Sequence, residues 1–310
     1  MDLSKINLNY YSFGYSTGLI NDNRNNSMNP TISIDKLVEV AVDNGLGGIE
    51  FPIDRIKNKD IDIFLKKLAD NNINFFIDFE NFDIEYISNM IPILHKNNMN
   101  KARIKMSNFF GGNRYLINDF DLYVEKFILD LKSILPILEK YNFKLLIENH
   151  QDLNSFEIID IIEKVSTKYI GVNWDIGNSI AKLETPEQFF ENTKKYIGNI
   201  HLKDYVLIES DNGFLLKRCP IGEGFVNFEY ILSKIEEEIG DTSMSIELGA
   251  QITRESHYKR KEYWGFDIKS ANGCNKTDWE KNESGKLISD LELYDVIKSI
   301  NFLDKLRENE

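Results

Sequence analysis

Two cysteines and four histidines in 310 residues leave little room for thiolate or polyhistidine chemistry. Cys219 and Cys274 lie far apart and form no C-x-x-C pair, so neither a disulfide framework nor a thiolate zinc site is expected. Both read as reduced thiols. Basic residues are also short: 37 Lys and Arg stand against 50 Asp and Glu, a formal net charge of -13. Phosphate binding relies on clustered cations that displace counterions, so a polyanion such as DNA is not an expected partner. Long apolar runs are missing as well. No stretch approaches membrane-spanning length, and the opening MDLSKINLNYYSFGYS lacks an apolar run behind a basic patch, as a secretory signal would have. A cytoplasmic enzyme without a membrane partner is the expectation. Solenoid repeats and low-complexity linkers are absent too.

What remains is a regular alternation. Short apolar, β-prone runs occur near 9–14, 48–52, 74–79, 102–107, 144–149, 170–175, 199–203 and 243–248, separated by segments of helical periodicity such as IDIFLKKLADNN and FDLYVEKFILDLKSILPILEKY. Eight strands, each followed by a helix, predict an α/β fold, a (β/α)8 TIM barrel forming one domain over 1–310. Two segments depart from the repeat. Asp211-Asn212-Gly213 between two apolar runs predicts a tight hairpin on the rim after strand seven. The stretch of about 250–288, rich in Arg, Lys, Tyr and Trp, is too long for an ordinary connection and predicts a lid or a partner surface.

Four potential metal ligands recur at the ends of four consecutive predicted strands: Glu148 in LLIENH, Asp175 in GVNWDIGN, His201 in NIHLKD and Glu247 in MSIELG. Alone, Asp175 could cap the following turn, and His201 could be a satisfied structural histidine. Together they change the odds, because a parallel barrel aims its strand ends at one point. Three carboxylates in one small volume repel unless a dication and nearby bases compensate them. Oxygen-rich coordination with one imidazole suits an open catalytic site for one divalent ion, Mn2+ first, with Mg2+, Co2+, Fe2+ or Zn2+ as alternatives. Residues two apart on a strand share a face, so His150 follows Glu148 toward the pocket, and Lys203 follows His201 as a charge to balance the carboxylates. Glu50 at the end of strand two and Tyr15 after strand one are candidates for hydroxyl recognition. Gly222 and Gly224 in PIGEG would let the backbone pass close to a ligand or form an ordinary turn. The Gly111-Gly112 pair beside Arg114 reads as a loop.

The quartet, in this order and with the strings ENH, DxGN, HLKD and PIGEG around it, resembles the xylose isomerase-like sugar isomerases and epimerases over about 9–249. The resemblance implies a divalent-metal barrel acting on a carbohydrate, with Glu148 and Glu247 serving as ligands and also as acid and base. A proton would leave the carbon beside a carbonyl, through an enediolate, and return on the other side. It also implies a substrate-contacting role for Arg218. Asn178 stands where many free-ketose epimerases have histidine; it would offer hydrogen bonds to a hydroxyl but could not exchange protons. This counts against epimerisation of a free ketohexose, while other sugars, sugar phosphates, keto-inositols and 3-oxo-glycosides stay open as substrates. A lyase on 3-oxo-glycosides, the catalytic subunit of a C-glycoside deglycosidase working with a small partner subunit, is the alternative in the same chemistry. Apurinic endonucleases share the barrel but need more histidines and a basic face. Homo-oligomerisation is expected if no small subunit binds.

Overall fold

A computed structural model describes residues 2–19, 32–56, 60–108, 113–249, 254–258 and 288–308. Its strands are β1 (Ile6–Asn9), β2 (Gly48–Pro52), β3 (Asn74–Asp78), β4 (Lys101–Lys105), β5 (Lys144–Glu148), β6 (Ile170–Asp175), β7 (Ile197–Leu202), β8 (Tyr205–Ser210), β9 (Gly213–Arg218), β10 (Ser243–Ile246) and β11 (Arg254–Ser256). The helices are α1 (Ile34–Asp43), α2 (Ile61–Asp70), α3 (Ile84–Lys96), α4 (Phe120–Tyr141), α5 (Ser155–Val165), α6 (Pro186–Thr193), α7 (Phe228–Glu238) and α8 (Ile288–Glu308). Eight strands close into a parallel barrel in the order β1-β10-β7-β6-β5-β4-β3-β2. The expected (β/α)8 architecture is therefore present. Strand one is displaced from its expected place at 9–14: β1 ends at Asn9, and Tyr10–Phe13 form a 3-10 turn. The cause is Asn9, whose side chain accepts the Tyr11 amide at 2.8 Å and caps that turn despite the β-prone aromatics that follow.

The chain divides into two compact units, 50–200 and 1–49 with 201–310. In the first, each strand sorts its residues by parity. Arg103 of β4 meets Asp78 of β3 and Glu148 of β5, which defines the inner face. The alternate residues, Ile77, Ala102, Ile104, Leu145 and Ile147, are fully buried on the other face. Below Glu148 on the inner face, Leu146 fills a notch cut by two glycines. A Cβ on Gly171 would lie 2.9 Å from Leu146 Cδ2, and one on Gly198 would lie 2.8 Å from the same atom. Helix starts follow the capping residues: Ser33, Asp83, Asp119, Asn154, Thr185 and Asn227 each accept a backbone N–H at the head of their helices. These caps fix where each helix leaves the loop that follows a strand.

In the second unit the predicted hairpin forms. Antiparallel β8 and β9 turn at Asp211-Asn212, and β11 adds a third strand along β9. Of the long stretch 250–288, residues 254–256 thus make sheet, and most of the remainder lies outside the described residues, as do Gly111, Gly112 and Cys274. Cys219 is buried.

The same unit explains why HLKD and PIGEG occur together. Buried Asp204 accepts the amides of Gly222 at 3.1 Å and Gly224 at 2.9 Å on Oδ2, and those of Tyr205 at 2.9 Å and Val226 at 3.1 Å on Oδ1. A Cβ on Gly224 would sit 2.3 Å from that carboxylate. The glycines thus turn their amides to Asp204. Burial outweighs the four amide donors and pushes the Asp204 carboxyl up to about 7 from its ordinary 3.8. A raised folded value means that Asp204 contributes most to stability below about pH 4 and loses that contribution as pH climbs toward 7. Asp204→Asn cannot titrate and presents an N–H2 where amides need an acceptor. At pH 5 the variant is expected to be about 1–3 kcal/mol less stable in urea denaturation. Between pH 5 and 8 the parent should lose roughly 2 kcal/mol more than the variant.

Candidate metal centre

One ligand atom from each of Glu148, Asp175, His201 and Glu247 lies within 4.8 Å of the others, and all four residues are buried. Strand ends account for the convergence. Glu148 and Asp175 are the last residues of β5 and β6, His201 is the penultimate residue of β7, and Glu247 follows β10 directly. Three carboxylates and one imidazole form a hard, oxygen-rich donor set, which fits a divalent ion such as Mn2+ or Mg2+ better than a closed structural zinc shell. Their burial strengthens the argument, because converging carboxylates away from water need positive charge.

Within residues 50–200 the carboxylates are held by a dense set of donors. Arg103 is 1% exposed and donates through Nε and Nη2 to Glu148 Oε2, and through Nη1 to Asp78 Oδ1 at 2.5 Å. Glu148 Oε1 accepts from Asn178 Nδ2 at 3.2 Å, and the same nitrogen donates to Asp175 Oδ2 at 2.8 Å. The Asn178 amide N–H reaches Asp175 Oδ1 at 3.2 Å, so Asp175 caps the turn after β6 as well as joining the cluster. Asn149 locks the neighbouring strands, donating to the Asp175 carbonyl at 3.0 Å and accepting the Asp175 amide at 2.7 Å. Four residues beyond Glu148, burial pushes the Asp152 carboxyl up to about 7, with the Glu148 charge adding to the effect; Ser107 opposes it by donating at 2.5 Å.

In the other unit, Lys203 Nζ lies 2.6 Å from Glu247 Oε1, and His201 Nδ1 lies 2.9 Å from Glu247 Oε2. Lys203 thus sits on a carboxylate, where it neutralises charge. Arg218 is 1% exposed, and its donors go to Asp295 Oδ2 at 3.2 Å and to the carbonyls of Ser12 at 2.8 Å, Gly249 at 2.5 Å and Glu292 at 3.4 Å. That geometry braces the loops after β1 and β10 from inside. Tyr15 is half-buried, its amide held by Glu292 Oε1 at 2.9 Å. Glu50 is fully buried in β2, and His150 is 7% exposed beside Glu148 in sequence. His95 and His257 are exposed, away from this cluster in sequence.

Arg103, Asp78 and Gln151 lie outside the strings that mark the cluster in the sequence. A signal for the first was present. Lys101, Arg103 and Lys105 alternate along β4 in a barrel whose strands are buried on both faces, so three cations in register mark a polar inner face.

The sequence model of the xylose isomerase-like TIM barrel matches residues 38–262, and the chain belongs to that family. A curated relative, 3-oxo-isoapionate decarboxylase of Pectobacterium atrosepticum, is 24% identical over 138 residues, 43% of this chain and 50% of that protein. The chain spans about half the length of the curated relatives it matches. Among solved structures, L-ribulose 3-epimerase aligns with a TM-score of 0.60 at 12% identity, over 98% of this chain and 94% of that one. The 3-keto-D-glucoside 4-epimerase YcjR of Escherichia coli aligns with a TM-score of 0.58 at 10% identity, over 84% of this chain and 95% of that one. Similarity at this level establishes the shared barrel. Among the described residues no helix is long and apolar enough to cross a membrane.

Removing the Arg103 guanidinium would leave Asp78 and Glu148 as uncompensated buried charges. Arg103→Met is expected to lower stability by about 3–5 kcal/mol in urea denaturation. Arg103→Lys should recover only part of this, because an ammonium cannot span both carboxylates as a fork does.

Proposed function

We propose that the chain is a divalent-metal-dependent isomerase or epimerase of a small keto sugar, free or phosphorylated. The observation that carries this reading is the buried convergence of Glu148, Asp175, His201 and Glu247 within 4.8 Å. Those four residues would hold the ion, with Mn2+ preferred. When bound, the ion would polarise the substrate carbonyl and acidify the neighbouring C–H. Glu148 and Glu247, at the ends of β5 and β10, are the carboxylates assigned to take the proton from one face and return it to the other. Lys203, 2.6 Å from Glu247, balances that carboxylate's charge and fixes its direction. His150 is assigned to proton relay beside Glu148, while Glu50, Tyr15, Asn178 and Arg218 shape the walls around the sugar.

A lyase reading uses the same residues. One relative carries the name of a decarboxylase of a 3-oxo acid, and loss of a group beside a keto carbon begins from the same activated carbonyl. In the glycoside version, a small partner subunit would complete the enzyme.

Incubation of the Mn2+-loaded protein with a panel of keto sugars and 3-oxo acids in D2O separates these outcomes. Deuterium at a carbon-bound position together with a rearranged sugar is expected. Release of carbon dioxide or an aglycone instead would favour the lyase. Glu247→Gln should slow exchange by about 10²- to 10⁴-fold, and chelation with EDTA should abolish it. Exchange that survives EDTA would overturn the metal-dependent reading.

A further inference from the structure

The Asn178 amide stands at the junction of two ligand carboxylates. Its nitrogen donates to Glu148 Oε1 at 3.2 Å and to Asp175 Oδ2 at 2.8 Å, so each N–H is directed to one carboxylate. Two like charges from neighbouring strands are thereby tied to one donor. An amide can be turned end for end with little change in shape, and the turned form would aim its oxygen at both carboxylates. Something must select the productive orientation. Gln151 is placed to do so: its Nε2 donates to Asn178 Oδ1 at 3.0 Å, which fixes that atom as the acceptor and leaves the nitrogen for the carboxylates.

Gln151 reaches that position at a cost. It is 2% exposed and has φ +67°, in the left-handed region that L side chains avoid. Its amide folds back onto the Asn149 carbonyl at 2.8 Å, tightening the loop that leaves β5 three residues after Glu148. Strain of this kind persists where the surrounding structure gains from it.

We infer that Gln151 is a positioning residue, which acts through Asn178 to hold Glu148 and Asp175 in the geometry that receives the divalent ion. It is not one of the four ligand residues. The inference rests on the metal reading above and adds to it the device that orients two of the ligands.

MnCl2 titrated calorimetrically into the purified full chain, and into Gln151→Glu and Gln151→Gly, tests this, with circular dichroism and thermal unfolding run beside it. Gln151→Glu puts a carboxylate oxygen against Asn178 Oδ1 and favours the turned amide. It is expected to weaken Mn2+ binding by about 10- to 100-fold, the range seen when groups that orient ligands are lost. Gln151→Gly removes the orienting amide but adopts a positive φ freely. It should lose several-fold in affinity while its unfolding temperature holds or rises. A purely structural role predicts the reverse for glycine, lower stability with unchanged affinity, and that result would overturn the inference. So would a folded Gln151→Glu variant that binds Mn2+ like the parent. If Gln151→Glu does not fold, the glycine variant decides alone. A parent chain that takes up no Mn2+ would overturn the metal reading and this inference with it, and is distinguishable because the parent itself is silent.

Discussion

Like charges brought together away from water set the terms for this chain. Glu50, Asp78, Glu148, Asp175 and Glu247 are all buried, each within or directly after a barrel strand. Burying a carboxylate costs several kcal/mol unless a positive partner and hydrogen bonds repay it. Arg103 compensates Asp78 and Glu148, and Lys203 compensates Glu247. Asp175 accepts from neutral donors, two of them on Asn178. The protein's own cations therefore offset part of the load, and a dication in the cluster would offset more. Neutral amides, meanwhile, point the ligands. The groups that make the barrel tolerable to fold thus also shape its centre.

Much of this could be read from the amino acids. Glu148, Asp175, His201 and Glu247 were legible because each closes a short apolar run, and parallel strands must bring such ends together. Arg103 was harder to see, as ARIKMS reads as a β-prone run until its cations are sorted by parity. Strand one was misplaced because the aromatics in NYYSF favour strand, while a single side-chain acceptor at Asn9 turned the chain into a 3-10 coil. Local propensity lost to a cap. The bond between HLKD and PIGEG was invisible for another reason. A hairpin separates Asp204 from Gly222 and Gly224 in sequence, and nothing in spacing alone says that those amides share one carboxylate. Arg218 was read as a substrate contact through resemblance. Its donors reach backbone carbonyls and Asp295, a matter of loop geometry that residue identity does not encode.

The loop after β5 joins these themes. Asn149 fastens it to β6, Gln151 turns through a positive φ, and Asp152 is held by Ser107. Anchoring, a tight turn and a buried carboxyl are thus packed into four residues. Arg114 adds an outer tie, donating to the Asp152 carbonyl at 3.2 Å and pairing with Glu157 at 2.6 Å.

The parity of the strands has a further implication for how this protein can change. Apolar mass that holds the sheet in place, such as Ile104, Ile147 and Val172, occupies one set of alternate positions, and Arg103, Glu148 and Asn173 occupy the other. The two sets interleave along the chain yet face different solvents, one greasy and one ionic. Above the layer that Leu146 fills, substitution on the ionic side can therefore rewrite reactivity while the scaffold's adhesive half stays untouched.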